Sequence, residues 1–590
     1  MADRDLGDFD AYGREDDAET DEGFQDPDLD PVPAEDGLGV LAVSEGLCVA
    51  EDGEDTRLRA YVTADRREAV RVGSYVLAPY HDDETLFCRV TAVEYVQAFT
   101  ADDATEIHAR RAMRAAGIDE RDYKFIAALE PRAVLAPEDG ELHRRMPDRV
   151  PRPETVVRAA DDVTKIKTGL AIPADGVFLG HLAVGGERVM TGAEPPEIDY
   201  RLNDDYVGGD PLVFRHTLVA GGTGSGKTHT AKNVLRQFLA PERTYPVESG
   251  ASRTPRAAVV QFDPQDEYAQ MHDDNPDATG EDERRWERQG IAYGGHDDTV
   301  AFVPQVGDAT YAASHHGAEQ VPFTIPFSMV RGNPWLVASA DLNDNQYAAL
   351  SQLLDRFFRE GGETYDGFVS FLDDPGLRDE LEASGRVHES TFDAVFRRVL
   401  GMPAGVFDQA APPITDLVDQ FVRPGRLTVV PTYHIASSRA AETVVLAVAT
   451  LLVDEKLSND PTYDRIAETP LVVGMDEAHN FLTDADSVQA GKVIGKFTEA
   501  AKQGRKERLG LFLVTQDPQD VADAVFKQIN TTIVLNLGDE DAISAVNIPS
   551  NLEAKVPYME TGQMVVYSPD NSEPVELVGL PTCVTRHGRD

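Results

Sequence analysis

The sequence predicts an α/β protein: a doubly wound domain with a helical insertion, preceded by a small β-barrel. Three observations predict it. In Phe214–Ala240 (FRHTLVAGGTGSGKTHTAKNVLRQFLA) a glycine-rich turn separates an apolar run from a helical pattern. From about Leu212 onward, runs that are apolar through their centres alternate with helical segments, as parallel strands covered on both faces do. From Gly37 to Arg152, short alternating runs broken by Gly, Asp and Pro follow one another at the spacing of a small barrel.

Taken in order, residues 1–36 are rich in Asp and Glu and poor in large apolar side chains, so they read as a disordered acidic tail. Residues 37–152 carry the barrel runs VLAVSEGLCVA, RLRAYV, GSYVLAPY, TLFCRVTAVEYV and KFIAALEPRAVLAP, with one helix expected over Asp102–Ala116. Residues 153–210 read as a connecting segment whose last part, EIDYRLNDDYV, packs on the domain that follows. Residues 211–572 form that domain. Its expected strands are HTLVAG, AAVVQFD, RLTVVPTY, LVVGMDEA, LGLFLVTQ and TTIVLNLG. A helical insertion is expected at about 341–420, from NQYAALSQLLDRFFRE and TFDAVFRRVLG, and 573–590 as a C-terminal strap. Thr244–Arg256 and Asp273–Gly295 read as polar loops.

The chain has 590 residues, with 55 Lys+Arg against 104 Asp+Glu, a formal net charge of −49. The acid is spread along the whole chain and Lys is scarce beside Arg. This points to a cytoplasm of very high salt, where acidic surfaces keep proteins dispersed and self-repulsion is screened. Global charge therefore says little about nucleic acid. The three cysteines, Cys48, Cys88 and Cys583, are far apart and suggest neither a disulfide framework nor a zinc site. The longest apolar run, Thr443–Val453, is too short to span a membrane and reads as a buried helix. A cytoplasmic protein without a membrane partner is expected.

The chemistry sits at the ends of the expected strands. Gly221, Gly222, Thr223, Gly224, Ser225, Gly226, Lys227 and Thr228 fit G-x-x-x-x-G-K-[ST], with His229 next on the helix. Such glycines let backbone N–H groups curl around an anion, and the helix N-terminus adds free donors. Lys227 reaches the β- and γ-phosphates of ATP, and the Thr228 hydroxyl binds Mg²⁺. In LVVGMDEAHN the strand ends in Asp476, a Mg²⁺ ligand beside a phosphate loop, and Glu477, a general base for the attacking water. This pairing indicates ATP hydrolysis. Gln516, at the tip of LGLFLVTQ, is a candidate γ-phosphate sensor. Arg505 in KQGRKER, with Arg215 as second choice, is a candidate arginine finger toward a neighbouring subunit. Asp263 ends AAVVQFD, a strand expected beside the phosphate-loop strand; it supports the metal or water, or caps the Asp-Pro turn. His315, His316 and His479 lack partners at metal-ligand spacing and read as structural.

These residues, in this order, resemble the HerA family of hexameric ATPases, within the HerA–FtsK group of RecA-like P-loop motors. FRHTLVAGGTGSGKT, the strand with DPQDEY, LVVGMDEAHNFL, GRKERLGLFLVTQDPQDV, QINTTIVLNL and LVGLP carry the resemblance, and the barrel-first order matches. DPQDEY replaces the family's His-Gly-Glu-Tyr-like run, keeping Glu267 and Tyr268, and Glu242–Ser252 is expanded. The resemblance implies a hexameric ring that hydrolyses ATP with Mg²⁺ and moves along double-stranded DNA. It also implies a NurA-like nuclease partner and a role in DNA-end processing for repair, here of haloarchaeal type. The alternatives are an ATPase motor of a conjugation or secretion system, and an ATP-switched defence or scaffold assembly that moves nothing.

Overall fold

The computed structural model describes residues 36–588 apart from 43–45, 51–54, 98–122, 207–208, 247–252, 313–314, 338–341, 385–386, 402–404, 484–487, 547 and 572. Residues 1–35 of the expected tail and the whole of the expected helix Asp102–Ala116 lie outside the described residues.

Seven antiparallel strands form the first sheet: β1 (Gly37–Leu41), β2 (Leu58–Val62), β3 (Tyr75–Pro79), β4 (Thr85–Gln97), β5 (Tyr123–Glu138), β6 (Glu141–Arg145) and β7 (Val156–Ala159). Their order is β2-β1-β7-β3-β4-β5-β6, and β2 also pairs with β5, from Leu58↔Leu129 to Val62↔Phe125. Six strands thus close into a barrel, which leaves no free edge around the ring. The 16-residue β5 reaches both neighbours, and two register shifts along β4 bend the pair as barrel closure requires. Inside lie Leu41, Leu58, Val76, Ala78, Leu86, Cys88, Val90 and Leu129. The opposite face of the same strands, Tyr75, Leu77, Phe87, Ala133 and Leu135, is buried too. It packs on α1 (Val163–Leu170), where Gly169 lets the Phe87 ring come closer than a Cβ would allow. This barrel therefore has a second buried face, and it docks through it.

The second sheet has thirteen strands: β8 (Val177–Val184), β9 (Glu187–Arg188), β10 (Asp199–Leu202), β11 (Thr217–Ala220), β12 (Ala258–Asp263), β13 (Thr299–Pro304), β14 (Glu319–Phe323), β15 (Leu427–Pro431), β16 (Leu471–Met475), β17 (Leu509–Thr515), β18 (Thr531–Val534), β19 (Gln563–Tyr567) and β20 (Val575–Val578). Its order is β10-β8-β20-β19-β18-β11-β17-β16-β12-β15-β13-β14, with β9 on β8. The eight strands from β18 to β14 are parallel, and the rest join antiparallel. Alternate residues of the parallel strands enter opposite cores. Leu218, Val260, Val473 and Leu511 face one, and Val219, Val259, Val472 and Phe512 the other. Covering both faces is what makes these strands apolar throughout.

The six strands read from the sequence form the contiguous middle of this sheet. Three features differ from expectation. Residues 153–210 do more than connect: they supply β7 to the barrel and β8–β10 to the large sheet. The strand ending at Asp263 is not beside the phosphate-loop strand, because β17 and β16 intervene. Asp273–Gly295 is not all loop; after α2 (Lys227–Phe238) it holds α3 (Gly280–Gln289), started by a capping box between Thr279 and Asp282 and anchored by buried Trp286.

Between β14 and β15 the insertion holds α4 (Asp344–Arg359), α5 (Tyr365–Leu372), α6 (Pro375–Ser384) and α7 (Glu389–Leu400). Leu350, Leu354 and Phe357 of α4 share one core with Phe392, Val395 and Val399 of α7 and with the sheet. The apolar run Thr443–Val453 lies in α8 (Ser438–Leu457), whose residues on every side are buried. Among the described residues no helix is long and apolar enough to cross a membrane.

Candidate nucleotide site

Parallel strands put all their C-terminal ends on one edge, and that edge gathers the predicted residues. Strand β11 ends at Ala220, the glycine turn follows, and α2 begins at Lys227. Gly224 and Gly226 take φ of 78° and 101°, the left-handed region where a Cβ is costly. A Cβ on Gly221 would stand 2.6 Å from Ser225 Oγ. The loop is pinned on several sides. Gly221 N–H donates to Thr515 O (3.2 Å) and Gly222 N–H to Asn536 O (2.6 Å). Thr561 Oγ1 donates to Gly224 O (3.2 Å), and Gly562 N–H to Ser225 O (3.2 Å). These hydrogen bonds fix the turn, and an anion site needs its N–H donors on such a fixed turn.

Lys227 Nζ donates to Gly222 O at 3.0 Å, folded over the loop. Burial pushes its pKa below the ordinary range, while Glu477, Asp476, Asp517 and Glu267 pull it back up. His229, on the first turn of α2, is held neutral, its pKa pushed down to about 4 by burial. It lines a cavity of about 90 Å³ with Gly226, Thr230, Phe178, Leu580 and Pro581, directly beside the phosphate loop.

Asp476 follows β16, 3% exposed, its Oδ1 accepting the Glu477 N–H at 3.0 Å. Burial, and then the nearby carboxylates of Asp263 and Glu477, hold its pKa well above the usual carboxylate range. A desolvated carboxylate crowded by others is a group that a divalent cation would relieve. The chemistry of Asp476 therefore fits a divalent cation such as Mg²⁺. Glu477 is held in the left-handed region, φ 51°, ψ 47°. Its Oε2 is buried and accepts no hydrogen bond among the described residues. A base kept free of donors and backbone strain at one residue are both features of reactive sites. Gln516 follows β17, and its Oε1 accepts a hydrogen bond from the Thr223 hydroxyl at 3.3 Å, so the sensor candidate touches the phosphate loop.

Asp263 has the second of its two expected tasks. It is fully buried, and its carboxylate accepts the N–H groups of Gln265 (3.2 Å), Glu267 (3.1 Å) and Tyr268 (2.8 Å). It caps the turn after β12 and thereby brings Glu267 within charge range of Lys227.

The two arginines lie at the other edge of the sheet. Arg505 precedes β17 and Arg215 precedes β11, whereas the phosphate loop follows β11. The seven residues of β17 put roughly 23 Å between the edges at about 3.3 Å per residue. Neither arginine reaches the phosphate site of its own chain. Arg215 is 4% exposed, donates from Nε to Asp210 O at 2.5 Å and pairs with Asp570. Arg505 is 41% exposed and pairs with Asp210 at 3.5 Å. Of the two, only Arg505 presents its guanidinium outward.

Sequence reasoning missed three contributors. His479, read as structural, stands between Glu477 and Asp517 at the site itself. The C-terminal residues lie along α2: Val584 N–H donates to Asn233 Oδ1 (3.0 Å), and fully buried Lys232 donates to Arg586 O (3.1 Å). Thr561 and Gly562 hold the loop from the turn before β19. Only His479 had a signal, its place two residues beyond the expected base.

Comparison with known proteins agrees with the resemblance read from the sequence. Residues 204–451 match the family described as helicase HerA, central domain. A protein of Methanocaldococcus jannaschii called probable helicase MJECL08 is 23% identical over 530 residues, covering 85% of this chain and 88% of its own. Among solved structures, VirB4 of Thermoanaerobacter pseudethanolicus aligns over 70% of this chain and 97% of its own, at 13% identity and a TM-score of 0.43. The bacterial conjugative coupling protein TrwBdeltaN70 aligns over 69% and 97%, at 12% identity and a TM-score of 0.42.

Proposed function

We propose, from the match of residues 204–451 to the family described as helicase HerA, central domain, that this chain is an ATP-hydrolysing DNA motor of the HerA type. It works as a hexameric ring that moves along double-stranded DNA. One observation carries the hydrolytic part: a single sheet edge brings together the phosphate loop, the Asp476–Glu477 pair and Gln516, with Gln516 already touching Thr223.

The chain's own residues would act as follows. The N–H groups of Gly224 to Thr228 cradle the phosphates. Lys227 leaves Gly222 O and turns to the β- and γ-phosphates. Asp476 and Thr228 would hold Mg²⁺, which when bound would neutralise phosphate charge. Glu477, with no competing donor on Oε2, takes a proton from the water that attacks the γ-phosphorus; the bond to the bridging oxygen breaks and ADP leaves. Arg505, outward-facing and out of reach of its own site, stabilises the charge in a neighbouring subunit, a contribution on the order of 10³-fold or more where such fingers operate. Site and finger at opposite sheet edges are what a ring of like subunits needs. Gln516 reports the γ-phosphate to the rest of the chain.

DNA contacts of such a ring are to phosphates and hence salt-dependent and sequence-blind. With a net charge of −49, encirclement rather than tight local binding keeps this chain on DNA in a high-salt cytoplasm. The resemblance also carries a NurA-like nuclease as partner and DNA-end processing for repair as context.

The test is steady-state ATP hydrolysis in molar salt with and without linear duplex, for the wild type and Glu477→Gln. The expected result is hydrolysis that duplex stimulates and Glu477→Gln abolishes while still binding ATP. Hydrolysis indifferent to DNA would overturn the motor reading and direct attention to a protein substrate or a switched assembly. Normal turnover by Glu477→Gln would overturn the base assignment.

A further inference from the structure

We infer that His479 is a positioning residue for the hydrolytic carboxylate, joining Glu477 to the strand tip that touches the phosphate loop. The inference rests on the reading of Glu477 as the base and names a residue through which that base is controlled.

The backbone of Glu477 is held by its surroundings, but its carboxylate is not. Its backbone is in the left-handed region, which a non-glycine residue keeps only where its surroundings dictate it. Its Oε2 is shielded from solvent without accepting a hydrogen bond among the described residues. The imidazole of His479 stands beside it. Its Nδ1 is 3.5 Å from Glu477 Oε2, beside it but longer than an ordinary hydrogen bond. The ring is itself fixed: Nδ1 is 3.0 Å from Thr515 Oγ1, and Nε2 is 3.7 Å from Asp517 Oδ2. The side chain is 14% exposed, so this is no solvent-facing histidine.

Thr515 and Asp517 flank Gln516, and they are tied to each other, since Asp517 N–H donates to Thr515 Oγ1 at 3.1 Å. Gln516 in turn accepts from Thr223 of the phosphate loop at 3.3 Å. A continuous set of contacts therefore runs from Thr223 through Gln516 and its two neighbours to His479 and Glu477. A γ-phosphate that draws Gln516 or Thr223 shifts the two residues that hold the imidazole. The imidazole then alters where Glu477 points. The base is thus aimed when the γ-phosphate is present and left idle when it is absent. A histidine serving only to fill space would need neither the Thr515 contact nor the flanking carboxylates.

The test uses the full chain in molar salt, reading kcat and KM for ATP, affinity for a fluorescent ATP analogue, and thermal stability. His479→Phe keeps the ring and removes both nitrogens; its kcat is expected to fall roughly ten-fold or more, part of the 10²–10⁴ a general base supplies, with KM, affinity and stability little changed. His479→Asn, which keeps a polar group near the Nδ1 position, is expected to recover most of the rate. In a Glu477→Gln background, His479→Phe is expected to remove nothing further. A wild-type kcat in His479→Phe overturns the inference, as does a loss of stability and affinity in parallel with rate. If Glu477→Gln alone turns over normally, the base reading fails first and this inference falls with it; if Glu477→Gln is dead and His479→Phe is normal, only the inference fails.

Discussion

Removing the carboxylate of Glu573 should loosen the barrel from the motor sheet. Glu573 precedes β20 and is 4% exposed. It receives Arg89 Nη1 at 3.2 Å from β4 and lies 2.8 Å from Arg132 Nη2 of β5. Burial, and next this carboxylate, hold the Tyr75 hydroxyl well above its ordinary pKa. Glu573→Ala takes the carboxylate away from buried Arg89, while Arg132 keeps Glu130 at 2.7 Å. Breaking a buried pair from one side typically costs about 3–5 kcal/mol, mostly as the uncompensated charge left behind. A cavity of about 430 Å³ lined by Arg89, Glu130, Arg132 and Lys555 lets water reach Arg89. The lower end, about 3 kcal/mol, is therefore expected.

The assay is urea unfolding followed by two signals. Both tryptophans of the chain, Trp286 and Trp335, lie outside the barrel, so their fluorescence follows the motor part while far-UV circular dichroism follows all strands. Glu573→Ala should separate the two transitions, the dichroism changing first. The loss should persist in molar salt, because buried pairs are screened far less than exposed ones. Glu94→Gln is the control. Its partner Arg59 and Glu94 itself are 40% and 50% exposed, and such pairs contribute about 0–1 kcal/mol. A Glu573→Ala loss no larger than this control, or one that vanishes in molar salt, would refute the argument that Glu573 clamps the barrel.

Three further outcomes are expected. Arg505→Ala should lose hydrolysis, and mixing it with Lys227→Ala subunits should restore some; the mixed-subunit rate checks this, and no restoration would argue for a local role. Asp263 has its pKa raised to about 6 by burial; because the folded state holds this proton more tightly than the unfolded chain, its contribution to stability should fall as pH rises between about 4 and 6 and then level off. Asp263→Asn should flatten that slope in pH-resolved unfolding. Thr279→Ala removes one half of the capping box that starts α3 and should cost about 1 kcal/mol, read by the same unfolding assay.

What the sequence revealed follows from where the signals are local. The phosphate loop, the Asp476–Glu477 pair and the six central strands each announce themselves within about ten residues, by glycine spacing or by apolar runs. Sheet order does not. The strand of Asp263 was expected beside β11 because it is the next one in the chain, yet β16 and β17 insert between them from more than 200 residues later. Edge strands were lost for a related reason. Strand β14 reads EQVPF, exposed over most of its length, so it lacks the apolar run that marks its neighbours.

The same limit governs the site. Asp263 looked like a partner for the metal because acids at strand tips often are, but three N–H donors engage its carboxylate, and those donors converge only once the turn has formed. His479 was set aside because no second ligand stood at metal spacing along the chain. Its partners come from Thr515 and Asp517, at the tip of the neighbouring strand β17. Parallel pairing of β16 with β17 aligns Met475 with Leu513, so residues just past the two ends must face each other across one strand spacing, about 4.8 Å. That register, which no single stretch of sequence encodes, puts the histidine after the base within reach of the strand tip that touches the phosphate loop. The specific contribution of this sequence is to fill that position with a group that can face a carboxylate on either side.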